Sequence, residues 1–328
     1  MRWMDEAPKE IGNEALNGFV VLSYRSFYTI SDLLTTLIYG NERKNKSRIF
    51  KKIRKGNELI SSFFVKIYFY KIMGRLGFKK TMGAIYIPKY DYKVLCPYNM
   101  VEYVSLISRE ENMLSRFNPQ PGETVIDVGS HLGRYSIIGS KRVGKDGKVI
   151  SIEANPDVYP ILIKNISLNN LNNVFAFNNA AFSKQTKIKF YKGGSDNIRN
   201  NQFGTVITNI DNFNTKGLDA YVEVDAITID SLLLKQGLDI NKISWIKIDV
   251  EGAEFEVIEG CKNLLSTSND LAILVEIHIL SDGTTFYEKI KKYLENNGFL
   301  VDFEERRQSG ESHVLFKKFG HKTVRSDR

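Results

Sequence analysis

Short apolar strands alternate with helical segments from residue 123 onward, and this alternation constrains the fold more than any other feature of the 328-residue chain. The first strand, over 124–128, is of the buried type and runs into a glycine loop and a helix over 134–143. Further buried strands are predicted over 149–152, 174–177, 245–250 and 272–277. The helices predicted after strands cover 158–168, 254–265 and 284–296. Repeated strand–helix units indicate a parallel sheet with helices on both faces.

The remaining strands are predicted at the margins of this sheet. Two strands over 299–303 and 313–317 can pair as a terminal antiparallel hairpin, so that a mainly parallel sheet of seven strands is expected in a core over 120–318. Four shorter strands and one helix complete the α/β prediction; they cover 84–87, 93–96, 187–191, 221–226 and 103–117.

The loop after the first strand reads Asp127-Val-Gly129-Ser-His-Leu-Gly133. Glycines let the backbone approach a ligand closely at the start of a helix. Three residues separate these glycines, unlike the dinucleotide fingerprint, and an acid at position 127 suits a positively charged group such as the ammonium of S-adenosylmethionine (SAM). Glu153 ends the next strand, where a doubly wound sheet places a carboxylate that accepts both ribose hydroxyls. The alternatives are an ordinary turn and a solvated strand end.

Five blocks of sequence, taken in order, resemble the FkbM-type SAM-dependent methyltransferases. The blocks cover 125–133, 152–156, 179–183, 246–254 with 259–260, and 274–278. The resemblance extends over about residues 105–318. It departs from the family in the glycine loop, where Ser130 and His131 stand in place of the more frequent Ala-Asn pair.

The resemblance implies a class I methyltransferase with a Rossmann-like fold. Its acceptor would most often be a hydroxyl on a sugar, a glycan or a polyketide-like molecule. The residues that it places at SAM are Asp127, Gly129, Ser130, His131 and Gly133 near the methionine part, Glu153 and Ala154 near the ribose, and Asn179 and Ala180 near the adenine.

Two pairs of ionisable residues follow neighbouring strands. Asp249 and Glu251 stand two apart at the end of one strand, and Glu276 and His278 repeat that spacing at the end of the next. Residues two apart project to the same side, and ligand sites of open α/β sheets lie at these carboxyl ends. His278 is a candidate general base because an unperturbed imidazole titrates near pH 6.5, and Asp249 is the alternative base.

Two other interpretations of these acids stay open. Asp249, Glu251 and Glu276 could hold a divalent cation that acidifies an acceptor hydroxyl. Glu251 and Glu254 could instead stabilise the N-terminus of the next helix. Lys247 either points away from Asp249 or pairs with an acid.

The net charge of +8 is concentrated near the start of the chain. Residues 41–80 hold thirteen Lys and Arg against two Glu. A helical extension is therefore expected over 1–83, ahead of a methyltransferase domain over 84–328. Its basic segment favours one of three roles: binding an anionic membrane surface, binding RNA, or capping the sheet as a solvated helical layer that also serves in a homodimer.

Several other classes of protein are disfavoured by composition. Cys96 and Cys261 are the only cysteines, too few for a disulfide framework or a cysteine zinc site. The apolar segments over 15–40 and 59–73 are interrupted by charges, so neither reaches the roughly 20 apolar residues of a membrane span. We expect a cytoplasmic enzyme, with peripheral membrane attachment as a variant.

The leading hypothesis is O-methylation of a sugar, glycan or related small molecule. Methylation of nitrogen or of nucleic acid is the enzymatic alternative, although the chain has no Asn/Asp-Pro-Pro-Tyr motif. The other alternative is a non-catalytic protein that binds SAM and attaches to a membrane or partner through residues 1–83.

Overall fold

The computed structural model describes residues 82–97, 110–191, 205–206, 221–280, 283–307 and 310–318. The predicted N-terminal extension and its basic segment lie almost entirely outside these residues. The chain divides into two compact units, with the boundary between Ile107 and Ser108. The predicted boundary at 83/84 stays a prediction. The described part of the first unit is an antiparallel hairpin of strands β1 (Met82–Ile87) and β2 (Tyr92–Pro97).

The second unit alternates strands and helices, as the sequence predicts. Its helices are α1 (Glu111–Arg116), α2 (Arg134–Val143), α3 (Tyr159–Leu168), α4 (Ile229–Lys235), α5 (Glu254–Glu259), α6 (Lys262–Thr267) and α7 (Tyr287–Asn296). The strands of its main sheet are β3 (Thr124–Val128), β4 (Lys148–Ile152), β5 (Val174–Phe177), β10 (Ile243–Ile248), β11 (Ala272–Ile277), β12 (Phe299–Arg306) and β13 (Ser312–Lys318). Those of a smaller sheet are β6 (Ala180–Ala181), β7 (Thr186–Tyr191), β8 (Thr205–Val206) and β9 (Tyr221–Ile227).

The main sheet has the strand order β12-β13-β11-β10-β3-β4-β5. Its five strands from β11 to β5 run parallel, whereas β13 pairs antiparallel with both β11 and β12. The predicted fold, a mainly parallel sheet of seven strands with a terminal antiparallel hairpin, is confirmed. The smaller sheet has the order β6-β9-β7-β8. Its strand β6 begins at Ala180, shortly after β5 ends at Phe177.

Burial explains why the central strands read as continuous apolar runs. Every residue of β3 and of β10 is buried, as expected for parallel strands covered on both faces. One large apolar cluster joins these strands to β11, α4, α5, α6 and α7. Among the described residues, no helix is long and apolar enough to cross a membrane.

Several predicted elements have different limits in the structure, and two of them lie next to the loop that contains Asp249. The strand predicted over 245–250 ends at Ile248, so that Asp249 and Val250 belong to the following loop. The helix predicted over 254–265 is interrupted after Glu259. Gly260 lies at the break, where a Cβ atom would come within 2.3 Å of the carbonyl oxygen of Phe182. This close backbone approach fixes the break.

Helix α4 was not predicted from the sequence. It begins directly after β9, and its N-cap residue Thr228 accepts a hydrogen bond from the backbone N–H of Ser231 at 3.0 Å. A threonine before a short apolar run is a usual helix start. The signal was therefore present, although the helix is only seven residues long.

Candidate active site

The glycine loop touches the end of β10. Gly129 has φ +70°, and a Cβ atom at this position would lie 1.8 Å from the backbone oxygen of Asp249. The two segments are also joined by a hydrogen bond from Asp249 N to the carbonyl oxygen of Val128 at 3.1 Å. The predicted cofactor loop and the predicted catalytic strand end are therefore in direct contact.

Glu153 holds the glycine loop from the end of β4. One carboxylate oxygen accepts the backbone N–H of His131 at 2.7 Å, and the other accepts that of Asn155 at 2.8 Å. Burial raises the pKa of Glu153 to about 7, although both hydrogen bonds oppose that rise. The amide of Asn178 donates to the Glu153 carbonyl at 2.8 Å and so links this strand end to β5.

Asp127 is fully buried beneath the loop. Its Oδ2 accepts the hydroxyl of Ser136 at 2.5 Å, and its Oδ1 lies 3.7 Å from Nζ of Lys247. Burial raises the pKa of Asp127, while Lys247 and Ser136 act in the opposite direction. Asp127 on β3 thus contacts Ser136 on α2 and Lys247 on β10. Its direct contact with a ligand stays a prediction.

Lys247 is a buried cation between the loop and the catalytic strand end. Its Nζ donates to the carbonyl oxygen of Gly129 at 3.1 Å and lies 3.2 Å from Oδ2 of Asp249. Burial by itself lowers the pKa of Lys247, but Asp249, Asp127 and Glu110 together raise it above its ordinary value. Lys247 therefore stays charged and neutralises the acids around it.

The other loop residues are ordered by local contacts. The hydroxyl of Ser130 donates to the carbonyl oxygen of Asp127 at 2.7 Å. His131 and Gly133 have φ of +52° and +91°, so the loop curls tightly before α2. Burial lowers the pKa of His131 to about 4, which keeps its imidazole neutral.

The predicted adenine side lies where β5 passes into the smaller sheet. The amide of Asn179 donates to the carbonyl oxygen of Asp225 at 3.2 Å, and Ala180 is buried in the β6–β9 pairing. Ala154 packs against the same apolar cluster. Ala154 directly follows Glu153 at the end of β4, whereas Asn179 and Ala180 follow the end of the neighbouring strand β5.

His278 lies at the centre of a group of carboxylates. Its Nδ1 is 2.7 Å from Oε1 of the fully buried Glu254. Its Nε2 is 3.4 Å from Oε2 of Glu251 and 3.8 Å from Oδ1 of Asp249. Burial by itself lowers the pKa of His278, but the hydrogen bond that Nδ1 donates to Glu254 and the charges of Glu251, Glu254 and Asp249 raise it to about 11. With this pKa the imidazole is protonated at neutral pH and cannot accept a proton.

The two acids that follow β10 differ in charge state. Burial alone would raise the pKa of Asp249, but Lys247 and His278 hold it below its ordinary value. Burial raises the pKa of Glu251 to about 8, and Asp249 adds to that rise against the opposing effect of His278. Glu251 also has φ +54°, a left-handed backbone that is uncommon for non-glycine residues.

Glu276 faces the same region from β11. Its Oε1 accepts a hydrogen bond from Arg307 at 2.8 Å, and its Oε2 lies 3.1 Å from Nε2 of His313, its partner across the β11–β13 pairing. Glu276 and His313 line a small cavity; its other walls are Met113, Tyr135, Lys247, Ile248 and Leu274. The predicted acids of the two strand ends are thus brought together.

Three residues of the site were missed or left open by sequence reasoning. Lys247 pairs with Asp249, one of the two alternatives predicted for it, and its position two residues before Asp249 was the available signal. Glu254 contacts His278 rather than acting only at a helix start. Asn178 gives no sequence signal, because its role depends on how β4 and β5 lie side by side.

The chain is similar to several solved structures. One of them is a putative rRNA-methylase from Clostridium thermocellum, which is 14% identical and has a TM-score of 0.41. The match covers 66% of this chain and 96% of that chain. A SAM-dependent methyltransferase from Aquifex aeolicus has 15% identity, coverage of 67% and 97%, and a TM-score of 0.38. Fibrillarin from Aeropyrum pernix has 11% identity, coverage of 60% and 67%, and a TM-score of 0.37. No curated protein sequence matches significantly.

A family model decides the assignment. The model described as the methyltransferase FkbM domain matches residues 127–301, more than half of the chain. The match begins at Asp127 in the cofactor loop and includes both strand ends that surround His278. It confirms the predicted SAM-dependent methyltransferase. The chain belongs to the FkbM methyltransferase family.

Proposed function

We propose that this protein transfers the methyl group of SAM to a hydroxyl of a sugar, glycan or related small-molecule acceptor. The observation that supports this most directly is the contact between Gly129 and Asp249, which brings the cofactor loop against an ionised carboxylate. An alcohol must lose a proton as it is methylated, so a carboxylate at the point of delivery fits a hydroxyl acceptor.

The proposed reaction has one covalent step. The hydroxyl oxygen attacks the methyl carbon in line with the carbon–sulfur bond, whose electron pair remains on sulfur as S-adenosylhomocysteine forms. The hydroxyl proton passes to the carboxylate of Asp249, which Lys247 and His278 keep ionised. His278, protonated beside Glu254, orients that carboxylate through Nε2. Proximity and orientation supply the rest of the rate enhancement.

The cofactor side of the proposal depends on the loop and on Glu153. The hydroxyls of the ribose would donate to the Glu153 carboxylate at the end of β4, above a loop that this carboxylate already holds through His131. The methionine part would lie along the backbone from Gly129 to Gly133. Asn179 and Ala180 would border the adenine.

The proposed partners of the basic segment over 41–80 are argued independently of the candidate active site. Residues 41–80 lie outside the described residues, so attachment to an anionic membrane and a homodimer rest on sequence alone. Methylation of nucleic acid is the rival activity. We favour the O-methyltransferase proposal because it needs a carboxylate beside the proposed cofactor loop. Asp249, whose backbone lies against Gly129, supplies that carboxylate.

A test of acceptor class uses radiolabelled SAM and the full-length protein. Label should appear in small saccharides and glycans as base-stable methyl ethers, and little should appear in polynucleotides or peptides. A catalytically weakened Asp249→Asn variant controls for contaminating enzymes. Transfer to RNA that exceeds transfer to every saccharide tested would contradict the proposal.

A further inference from the structure

We propose that Asp249, Glu276 and His278 bind one divalent cation at the edge of the sheet where the methyl group is delivered. Each of the three offers one ligand atom, and these atoms lie within 4.8 Å of one another. An ion placed among them needs metal–ligand distances of about 2.0–2.3 Å, so that ligands on opposite sides stand about 4–4.6 Å apart. The separations in the structure, up to 4.8 Å, are close to that range.

The imidazole of His278 is held as a metal ligand would be, and a cation that binds Nε2 must displace the proton that this nitrogen carries in the metal-free protein. Only 9% of its side chain is exposed, and its Nε2 faces Oε2 of Glu251 at 3.4 Å and Oδ1 of Asp249 at 3.8 Å. Nδ1 is 2.7 Å from Oε1 of the buried Glu254. Histidines that bind metals nearly always donate their other ring N–H to a carboxylate or carbonyl, which fixes the tautomer and points the free nitrogen at the ion.

The two oxygens of Asp249 face different groups. Oδ2 is 3.2 Å from Nζ of Lys247, whereas Oδ1 faces Nε2 of His278 across 3.8 Å. Glu251 places Oε2 3.4 Å from the same Nε2. The gap between Oδ1, Oε2 and Nε2 is therefore bordered by two carboxylate oxygens and one imidazole nitrogen, and Glu251 can serve as a fourth ligand.

The ligand chemistry indicates the class of ion. Carboxylates suit Mg²⁺ and Mn²⁺, whereas imidazole suits first-row transition metals. A mixed set of this kind fits Mn²⁺, which is also observable by electron paramagnetic resonance. The use of the ion, polarisation of the acceptor oxygen, rests on the proposed O-methyl transfer, but binding of the ion does not.

The test is titration of the full-length protein with Mn²⁺ alone, followed by paramagnetic resonance. We expect one tightly bound ion per chain. Asp249→Asn and Glu276→Gln should each weaken binding by about 10–100-fold, and so should Glu254→Gln, which removes only the partner of the histidine. Glu288→Gln, an exposed acid on α7, is the matched control and should leave binding unchanged. His278→Ala is avoided because it would leave Glu254 buried beside a cavity.

Binding of S-adenosylhomocysteine, measured by calorimetry, shows that each variant remains folded. Absence of bound Mn²⁺ in the wild-type protein, or equal binding by the wild type and the Asp249→Asn and Glu276→Gln variants, would overturn the inference. Mn²⁺ binding without methyl transfer to any hydroxyl would count against the proposed function alone. Methyl transfer that a chelator leaves intact, without Mn²⁺ binding, would count against the cation alone.

Discussion

Nζ of Lys247 lies 3.2 Å from Oδ2 of Asp249, and the same nitrogen donates to the carbonyl oxygen of Gly129 at 3.1 Å. One buried cation therefore connects the glycine loop to the acid that follows β10. Lys247 and Asp249 stand two apart in the sequence, on either side of the end of β10. Because Oδ1 of Asp127 lies 3.7 Å from the same nitrogen, loss of the cation would remove a positive counter-charge from both acids.

The first prediction is that Lys247→Met destabilises the protein by about 3–5 kcal/mol, since removing one partner of a buried ion pair leaves uncompensated charge. The measurement is urea unfolding of the wild type and the variant. Lys145→Met, at an exposed lysine, is the control and should change the free energy of unfolding by no more than about 0.5 kcal/mol. Equal stability of the two variants would show that Asp127 and Asp249 do not need Lys247.

Much of the main sheet could be predicted because each strand carries its own signal. The limits of β3, α2 and β11 agree with those expected from apolar patterning. The end of β10 could not be found in this way. Where the strand ends, the backbone oxygen of Asp249 lies against Gly129, which is far away in sequence. Local pattern contains no information about that contact.

The candidate site could likewise be predicted only in part from the sequence. Strand ends and a spacing of two residues predicted that Asp249, Glu251, Glu276 and His278 would converge, and the structure brings their side chains together. The partnership of His278 with Glu254 was not predicted, because Glu254 lies at the start of α5 and meets the imidazole only through tertiary packing. That contact changes the expected charge of His278, and therefore its expected chemistry.

The second prediction concerns the ribose. Glu153→Ala should weaken binding of S-adenosylhomocysteine by about 1.5–3 kcal/mol, because hydrogen bonds to an ionised carboxylate are lost. This corresponds to roughly 10–150-fold in Kd, measured by calorimetry. Glu223→Ala, at an exposed acid on β9, should leave the affinity unchanged. Unaltered affinity in Glu153→Ala would place the ribose elsewhere.

The third prediction is a pH dependence of that affinity. Burial raises the pKa of Glu153 to about 7, so the side chain is largely protonated below this pH. If the ionised carboxylate accepts both ribose hydroxyls, as proposed, ligand binding must expel the proton in acid. Affinity for S-adenosylhomocysteine should rise by about tenfold per pH unit below pH 7 and level off above it. In Glu153→Gln the slope should vanish; a slope of the same size there would assign it to another group.

The fourth prediction separates chemistry from binding at Asp249. Asp249→Asn should lower the turnover number by about 10²–10⁴, the usual contribution of a positioned proton acceptor. The Kd for S-adenosylhomocysteine should change little, because the loop contacts the backbone of Asp249 and not its carboxylate. Single-turnover methyl transfer with bound SAM measures the first quantity and calorimetry the second. Asp302→Asn, at an acid that pairs with Lys317 on the terminal hairpin, is the control. Equal losses in turnover and affinity would indicate a structural role instead.

The last prediction uses two glycines that share a left-handed backbone but differ in their surroundings. Gly129 and Gly237 have φ of +70° and +60°, so alanine is strained at either position, by about 1–2 kcal/mol. Around Gly237 a Cβ atom would meet nothing within 4 Å, whereas at Gly129 it would lie 1.8 Å from the backbone oxygen of Asp249. Gly129→Ala must therefore push the loop away from β10 and should cost about 1–3 kcal/mol more than Gly237→Ala in urea unfolding. It should also abolish binding of S-adenosylhomocysteine, which Gly237→Ala should retain. Normal ligand binding by Gly129→Ala would mean that the cofactor loop does not need its contact with the catalytic strand end.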